Sequence, residues 1–214
     1  MTNVPNYPIS GNIYDHCSRF LGKGNKVELL IDFGARHGES FEQIGKHCSK
    51  DFVFIEPLPA CATIIRTMMV KHFEKPPLLH IIEGILGDKK GITELITFAN
   101  DDHQSSNVFT DRGGKHGITL RVPIDIIPYS TLFPGRKIDF AKINIEGGEY
   151  DMVESPFFDQ IDSFVMEVHN QHIPGKTYID IINALKDKYE LETFGPLDQT
   201  CCLISGKKCI SPSA

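Results

Sequence analysis

The chain contains no tryptophan in 214 residues. That removes the broadest side-chain platform for stacking bases, although Phe and Tyr remain. It also lacks a surplus of positive charge, with 22 Lys and Arg against 28 Asp and Glu for a formal net charge of -6. A general nucleic-acid binder leans on such a surplus, so nucleic acid is a disfavoured partner. No apolar run approaches the ~20 residues of a membrane helix. The longest runs, such as Val27 to Phe33, are strand-sized. The opening residues carry Pro5, Pro8 and Asp15 without an apolar core, unlike a secretory leader. Six cysteines occur, but no CxxC pair and no Cys/His spacing of a zinc knuckle. Free thiols in a reducing, cytoplasmic setting are expected, and no metal site is predicted.

What is present is a strand–helix rhythm. Val27 to Gly34, Asp51 to Pro57 and Leu78 to Gly84 are short, nearly continuous apolar runs, as strands buried on both faces require. Between them, His37, Phe41, Ile44 and Cys48 recur at helical spacing, as do Cys61, Ile64, Ile65, Met68 and His72. Ile138 to Ile145 and Ser163 to His169 resume the strands, and Tyr178, Ile181, Ile182 and Leu185 mark a helix. This predicts an α/β, doubly wound, largely parallel sheet. Residues 189–194 and 201–206 are expected to pair antiparallel. Ile118 to Ile126 alternates like a strand, and Pro123 assigns it to an edge or a bulge. One domain over 1–214 is expected, with 1–26 as an N-terminal extension holding a helix near 12–22. The polar stretch 99–116 is expected to be an active-site loop.

The turn Asp32-Phe33-Gly34-Ala35-Arg36-His37-Gly38 follows the first strand, where a doubly wound sheet binds its nucleotide. Gly34 permits a sharp turn, Gly38 permits close helix packing, and Glu56 ends the next strand where a carboxylate can receive two ribose hydroxyls. The GxGxxG fingerprint is broken by Arg36, and no GKS or GKT of a P-loop occurs. Asp32 would repel a pyrophosphate but suits a cationic cofactor. S-adenosylmethionine, with a sulfonium, an ammonium, a ribose and no phosphate, fits these residues better than NAD or ATP.

These stretches, together with IIEGILGDKKG, the Ser105-Ser106-Asn107 segment, FAKINIEGGEYDMVES and FVMEVH, resemble the FkbM-like family of S-adenosylmethionine-dependent methyltransferases. The resemblance implies a Rossmann-like class I methyltransferase fold, a seven-stranded mostly parallel sheet flanked by helices with an antiparallel last strand. It implies that Asp32, Gly34, Ala35 and Gly38 form the cofactor's methionine-side turn, that Glu56 holds the ribose, and that Gly84 and Ile85 border the adenine. Ser106 and Asn107 would overlook the active site. Lys142, Asn144, Glu146 and Glu149 match the family motif K-I-D-x-E-G-x-E, with Asn144 in place of its aspartate. Glu167 and His169 match an E-x-H strand end.

Methyl transfer to a hydroxyl asks the protein for alignment and for a proton acceptor. His169, with an ordinary pKa of about 6.5, is the leading candidate base. Lys142, Asn144 and Glu146 are further candidates for the catalytic set, and Ser106, Asn107, Glu149 and Glu167 for the acceptor. Glu149 is alternatively a cap for its own helix. The resemblance points to a sugar, glycan or other small-molecule hydroxyl as acceptor. Alternatives are a cofactor-binding scaffold without turnover, for which Asn144 speaks, and an RNA methyltransferase.

Overall fold

The computed structural model describes residues 4–7, 11–72, 77–98, 119–169, 175–195 and 201–209. Ahead of the first long strand lie the two-residue β1 (Asn6–Tyr7) and helix α1 (Ile13–Leu21). Asn12 and Asp15 start α1 with a reciprocal capping box: each backbone N–H donates to the other's side chain at 3.0 Å. Ile13, Cys17 and Leu21 form its buried stripe.

Two βα units follow, β2 (Val27–Phe33) with α2 (Glu39–Ile44) and β3 (Cys48–Glu56) with α3 (Pro59–Val70), and then the strand β4 (Leu78–Glu83). Then come β5 (Ile85–Gly87), β6 (Gly91–Phe98) and β7 (Thr119–Pro128). The chain continues through β8 (Phe140–Ile143), α4 (Glu149–Glu154), β9 (Ser163–His169), α5 (Tyr178–Leu185), β10 (Tyr189–Phe194) and β11 (Cys201–Lys208).

The main sheet runs β10-β11-β9-β8-β2-β3-β4, seven strands, and β1 adds a short parallel eighth beside β10. The β9-β8-β2-β3-β4 pairs are parallel, and β11 is antiparallel to both its neighbours. Alternation explains the unbroken apolar runs. Leu29, Ile31 and Phe33 of β2 join Val53 and Ile55 of β3 in one core, beside residues of α4 and α5. Leu30, Phe52 and Phe54 point into the other, with Cys17 of α1 and Ile65 of α3. Both faces of the central strands are therefore dry.

Two helical readings need correction. Cys48 opens β3, because α2 stops at Ile44 and a 3-10 turn over Gly45–His47 reverses the chain. Only Cys61, Ala62 and Ile65 of α3 are buried, Ile64 faces outward, and His72 lies past the helix end with its ring against Phe41. The second sheet, β5-β7-β6, was legible only in part. β5 is three residues long and gives no periodic signal. β7 is the middle strand over Ile126–Pro128, where β5 joins it. At Pro123 itself, however, only β6 runs alongside, since β5 pairs from Ile126 onward. No helix among the described residues is long and apolar enough to cross a membrane.

Candidate active site at the carboxyl edge of the sheet

The chain leaves β2 towards β3 and β4, and later returns to place β8 on the other side of β2. The carboxyl ends of β2 and β8 therefore flank a topological switch point, where the connections diverge and leave a crevice. A cavity of about 870 Å³ opens there. That volume suits a ligand of nucleoside size together with part of a second molecule. Phe33, Gly34 and Arg36 line it from the end of β2, and Ile55, Glu56 and Leu58 from the end of β3. Gly84, Ile85, Leu95, Ile126 and Tyr129 supply the wall built on the small sheet. Asn144, Ile145, Glu146 and Gly148 close the β8 side, and Ile13 and Tyr14 of α1 also line the space.

Glu56 is buried yet borders this space. Its Oε2 accepts the Arg36 N–H at 2.7 Å and its Oε1 accepts the Leu58 N–H at 2.9 Å. Each oxygen keeps a lone pair for a further donor. Burial pushes its pKa up to about 7, against the pull of those two amides.

The glycine turn is closed upon itself. The Gly34 and Ala35 amides both donate to the Ile55 carbonyl, at 3.0 and 3.1 Å, and the Gly38 amide donates to the Ala35 carbonyl at 2.8 Å. The Arg36 amide is taken by Glu56, and the His37 amide donates to Glu39 at 3.3 Å. With all five amides engaged, the turn presents no nest of free N–H groups to a phosphate. A phosphate-free cofactor fits this turn, and a pyrophosphate does not.

Several expected contacts are displaced. Asp32 is fully buried and its Oδ1 lies 2.9 Å from the Lys142 ammonium, which also donates to the Gly34 carbonyl at 2.9 Å. Asp32 thus secures the turn from behind rather than meeting a ligand. Lys142 reaches the cavity wall but is committed to the same pair, which argues against a proton-transfer role. Burial works against its charge, and the Asp32 carboxylate more than offsets this, holding its pKa above the ordinary lysine value. Ala35 and Gly38 lie behind the wall. Gly38, at φ 84°, packs beside Met68, Ile65 and Phe54. Replacing Lys142 by Met should cost roughly 3–5 kcal/mol in urea denaturation, because Asp32 would be left as a buried, unpaired charge. The double variant Asp32→Asn, Lys142→Met should recover much of that loss. Equal stability of the single and double variants would show that the pair carries no such weight.

On the β8 side, the Asn144 Nδ2 donates to Glu167 Oε2 at 3.0 Å, so Glu167 serves as an orienting group. Glu149 is fully enclosed. Its Oε1 accepts the Ile145 amide at 3.1 Å, and its Oε2 accepts the Gly147 amide at 2.8 Å. It therefore fastens the turn after β8 and does not face an acceptor. Glu146 borders the cavity from that turn in a left-handed backbone conformation, φ 52°. His169 lies behind it, with Nδ1 3.1 Å from Glu149 Oε1 and Nε2 3.6 Å from Glu146 Oε1. Burial works against its charge, but the hydrogen bond to Glu149 and the charges of Glu149, Glu146 and Glu167 push its pKa up to about 9. His169 is not among the residues that line the cavity, so the expected general base stands behind Glu146 rather than at the wall.

The structure brings Gly34, Glu56, Gly84, Ile85, Lys142, Asn144 and Glu146 to one cavity. Ser106 and Asn107, and the expected loop 99–116, lie outside the described residues. Tyr14, Asp88, Tyr129 and Asp151 also border the cavity and were not anticipated. For Tyr14 the available signal was its place beside the apolar stripe of α1. Asp88 and Asp151 lie within the stretches IIEGILGDKKG and FAKINIEGGEYDMVES, which were read for other residues, and Tyr129 belongs to a stretch without a motif. Among the described residues no group of three or more His, Cys, Asp or Glu is placed to hold a metal ion.

The strand order, the antiparallel β11 and the crevice at the switch point define a Rossmann-like methyltransferase fold. Residues 32–194 match the methyltransferase FkbM domain, and the chain belongs to that family. Similar solved structures include the methyltransferase FkbM from Methylobacillus flagellatus KT, with a TM-score of 0.54 and 15% identity, covering 87% of this chain and 45% of that one. An rRNA methylase from Streptococcus thermophilus gives a TM-score of 0.54 and 9% identity, covering 94% and 98%. A dimethyladenosine transferase from Plasmodium falciparum gives 0.50 and 11%, covering 95% and 63%. These identities speak to the fold, and the chain spans less than half the length of the first of the three. Comparison with curated proteins gives no match.

Proposed function

We propose that this chain is an S-adenosylmethionine-dependent methyltransferase acting on a hydroxyl of a small molecule, a sugar or a glycan. The observation that carries the cofactor assignment is Glu56: a buried carboxylate with spare lone pairs, bordering the cavity beside a turn whose amides are all engaged. A ribose diol supplies the two donors such a carboxylate needs, and the absence of free amides disfavours a phosphate. When bound, the cofactor supplies an electrophilic methyl group. The chain's own residues bind and orient. Glu56 would hold the ribose, Gly84, Ile85 and Leu58 would border the base, and Gly34 would lie along the amino-acid end. Asn144 and Glu146 would face the acceptor.

The acceptor class comes from the family resemblance. A net charge of -6 favours a small molecule over a polyphosphate. The rRNA methylase among the fold neighbours makes RNA the comparison substrate to include.

The test has two stages. Calorimetry with S-adenosylhomocysteine should give saturable one-to-one binding. Labelled methyl transfer from S-adenosylmethionine should then appear with a member of a sugar and glycan panel and not with RNA. Binding without transfer to any acceptor would favour a scaffold, transfer to RNA would replace the acceptor class, and no binding would remove the enzyme reading.

A further inference from the structure

We propose that His169 is a positioning residue that works as a cation, locking Glu149 against the turn after β8 and holding the Glu146 carboxylate at the cavity wall. The importance of this arrangement for catalysis rests on the methyltransferase reading above. The geometry forms a chain of three groups. Glu149 receives two amides of the turn, those of Ile145 and Gly147, and its Oε1 also faces His169 Nδ1 at 3.1 Å. The other ring nitrogen of His169 faces Glu146 Oε1 at 3.6 Å. One ring thus spans two carboxylates, one fully buried and one at the cavity.

Glu146 needs such support. Its left-handed φ of 52° costs a non-glycine residue roughly 1 kcal/mol or more, and surrounding contacts must maintain it. Glu149 fixes the backbone on either side of Glu146, and His169 attracts its side chain. Among the described residues, the charges that act on the ring are the carboxylates of Glu149, Glu146 and Glu167. β9 itself contributes Glu167, the turn and α4 contribute Glu146 and Glu149, and β11 sets Cys201 opposite His169. Lys142, on the neighbouring strand β8, is committed to Asp32. A protonated ring donates to Glu149 from Nδ1 and holds its other N–H at ion-pair distance, 3.6 Å, from Glu146 Oε1. Held at the cavity wall, the Glu146 carboxylate is placed to receive a proton from an acceptor O–H, the oxygen keeping the bonding electron pair.

The charge state is measured directly in the full chain by ¹⁵N-histidine NMR from pH 5 to 10, with His169→Gln assigning the signal. The expected result is a doubly protonated ring at pH 7.5 that loses its proton near pH 9. Glu146→Gln should lower that midpoint by roughly half a unit or more. It should leave hydrogen exchange at the Ile145 and Gly147 amides unchanged. Glu149→Gln should lower the midpoint further and speed exchange at both amides by about tenfold or more. A neutral ring at pH 7.5, or a midpoint unmoved by Glu146→Gln, would overturn the proposal. The Glu146→Gln result decides the matter even where Glu149→Gln does not fold. Calorimetry with S-adenosylhomocysteine separates the two readings. If wild-type protein fails to bind it, the methyltransferase reading falls while the NMR result still stands. If both bind, His169→Gln should do so within about threefold of wild type, since the ring lies behind the wall and touches no ligand position. A far larger loss would assign His169 to the cofactor site instead.

Discussion

Glu56→Ala is expected to weaken S-adenosylhomocysteine binding by about a hundredfold, roughly 2.7 kcal/mol, in calorimetry at pH 8. Two hydroxyl donors on one carboxylate contribute about that much when the site excludes water. Alanine also orphans the Arg36 and Leu58 amides that Glu56 receives, so thermal unfolding must accompany the titration. Glu56→Gln is the milder companion: it keeps one acceptor oxygen and loses the charge, and should weaken binding about tenfold. The pH dependence has a definite sign. The free protein holds Glu56 near a pKa of about 7, and diol donors favour its ionised form. Affinity should therefore be greatest above pH 7 and fall as the pH drops through it, to about tenfold weaker at pH 6 than at pH 8. Glu56→Gln should flatten that profile. An Ala variant that folds and binds like wild type would take Glu56 out of the cofactor site.

The stability sign runs the other way. A carboxyl group whose folded pKa is raised above its unfolded value opposes folding once it must ionise. The penalty is absent below the unfolded pKa of about 4.5 and develops in full as pH rises through about 7. A ligand that hydrogen-bonds the charged form offsets this penalty, so the bound protein should show a flatter stability–pH curve than the free protein. Ligand binding and pH thus meet at one side chain, and Glu56→Gln tests both.

Much of the frame was legible because burial on both faces leaves a direct trace. β2, β3 and β9 must be apolar on each side, and their sequences say so with little competition from other signals. The site was legible where the backbone needs a special residue. Gly34 and Glu56 stand at strand ends in an order only a doubly wound sheet explains. The errors share a different origin. The ordinary pKa of His169 describes an isolated ring, whereas here the ring stands between Glu149 and Glu146, behind the cavity wall, and their charges and that of Glu167 push its pKa up. Asp32 and Lys142 each look functional alone, yet a salt bridge across adjacent strands turns them on one another. Glu149 and Glu167 are acidic residues near an active edge whose partners are backbone amides and Asn144. For His169, Asp32, Lys142 and Glu167 the decisive partner is remote in sequence, and side-chain chemistry read along the chain cannot supply it. Glu149 instead closes on amides two and four residues away, a local role its place at a helix start already offered. The small sheet was obscured differently: β5 has too few residues for a period, and its pairing with β7 is long-range.

The largest loss of stability is expected from Gly34→Ala. Gly34 lies at φ 77°, where an L side chain costs roughly 1–2 kcal/mol. The greater obstacle is what the added carbon meets. A Cβ at this position would fall 1.8 Å from the Asn144 carbonyl oxygen, far inside contact distance, and that oxygen belongs to backbone. Asn144 cannot swing aside, because its own amide donates to the Phe33 carbonyl at 3.0 Å and its side chain is tied to Glu167. Relief requires parting β2 from β8 at the switch point, where Asp32, Lys142 and the Gly34 carbonyl are also joined. Strain and a broken strand-end contact together should exceed about 4 kcal/mol, a large share of the roughly 5–15 kcal/mol that holds an ordinary domain folded. Gly24→Ala is the matched control. Its φ is 82°, and nothing lies within 4 Å of the added carbon, so only the conformational cost of about 1 kcal/mol applies. Urea denaturation of the two variants separates conformation from contact. Equal losses would mean that β2 and β8 do not approach as closely as 1.8 Å implies, and the account of Gly34 as a residue demanded by the neighbouring strand, ahead of any ligand, would fail with it.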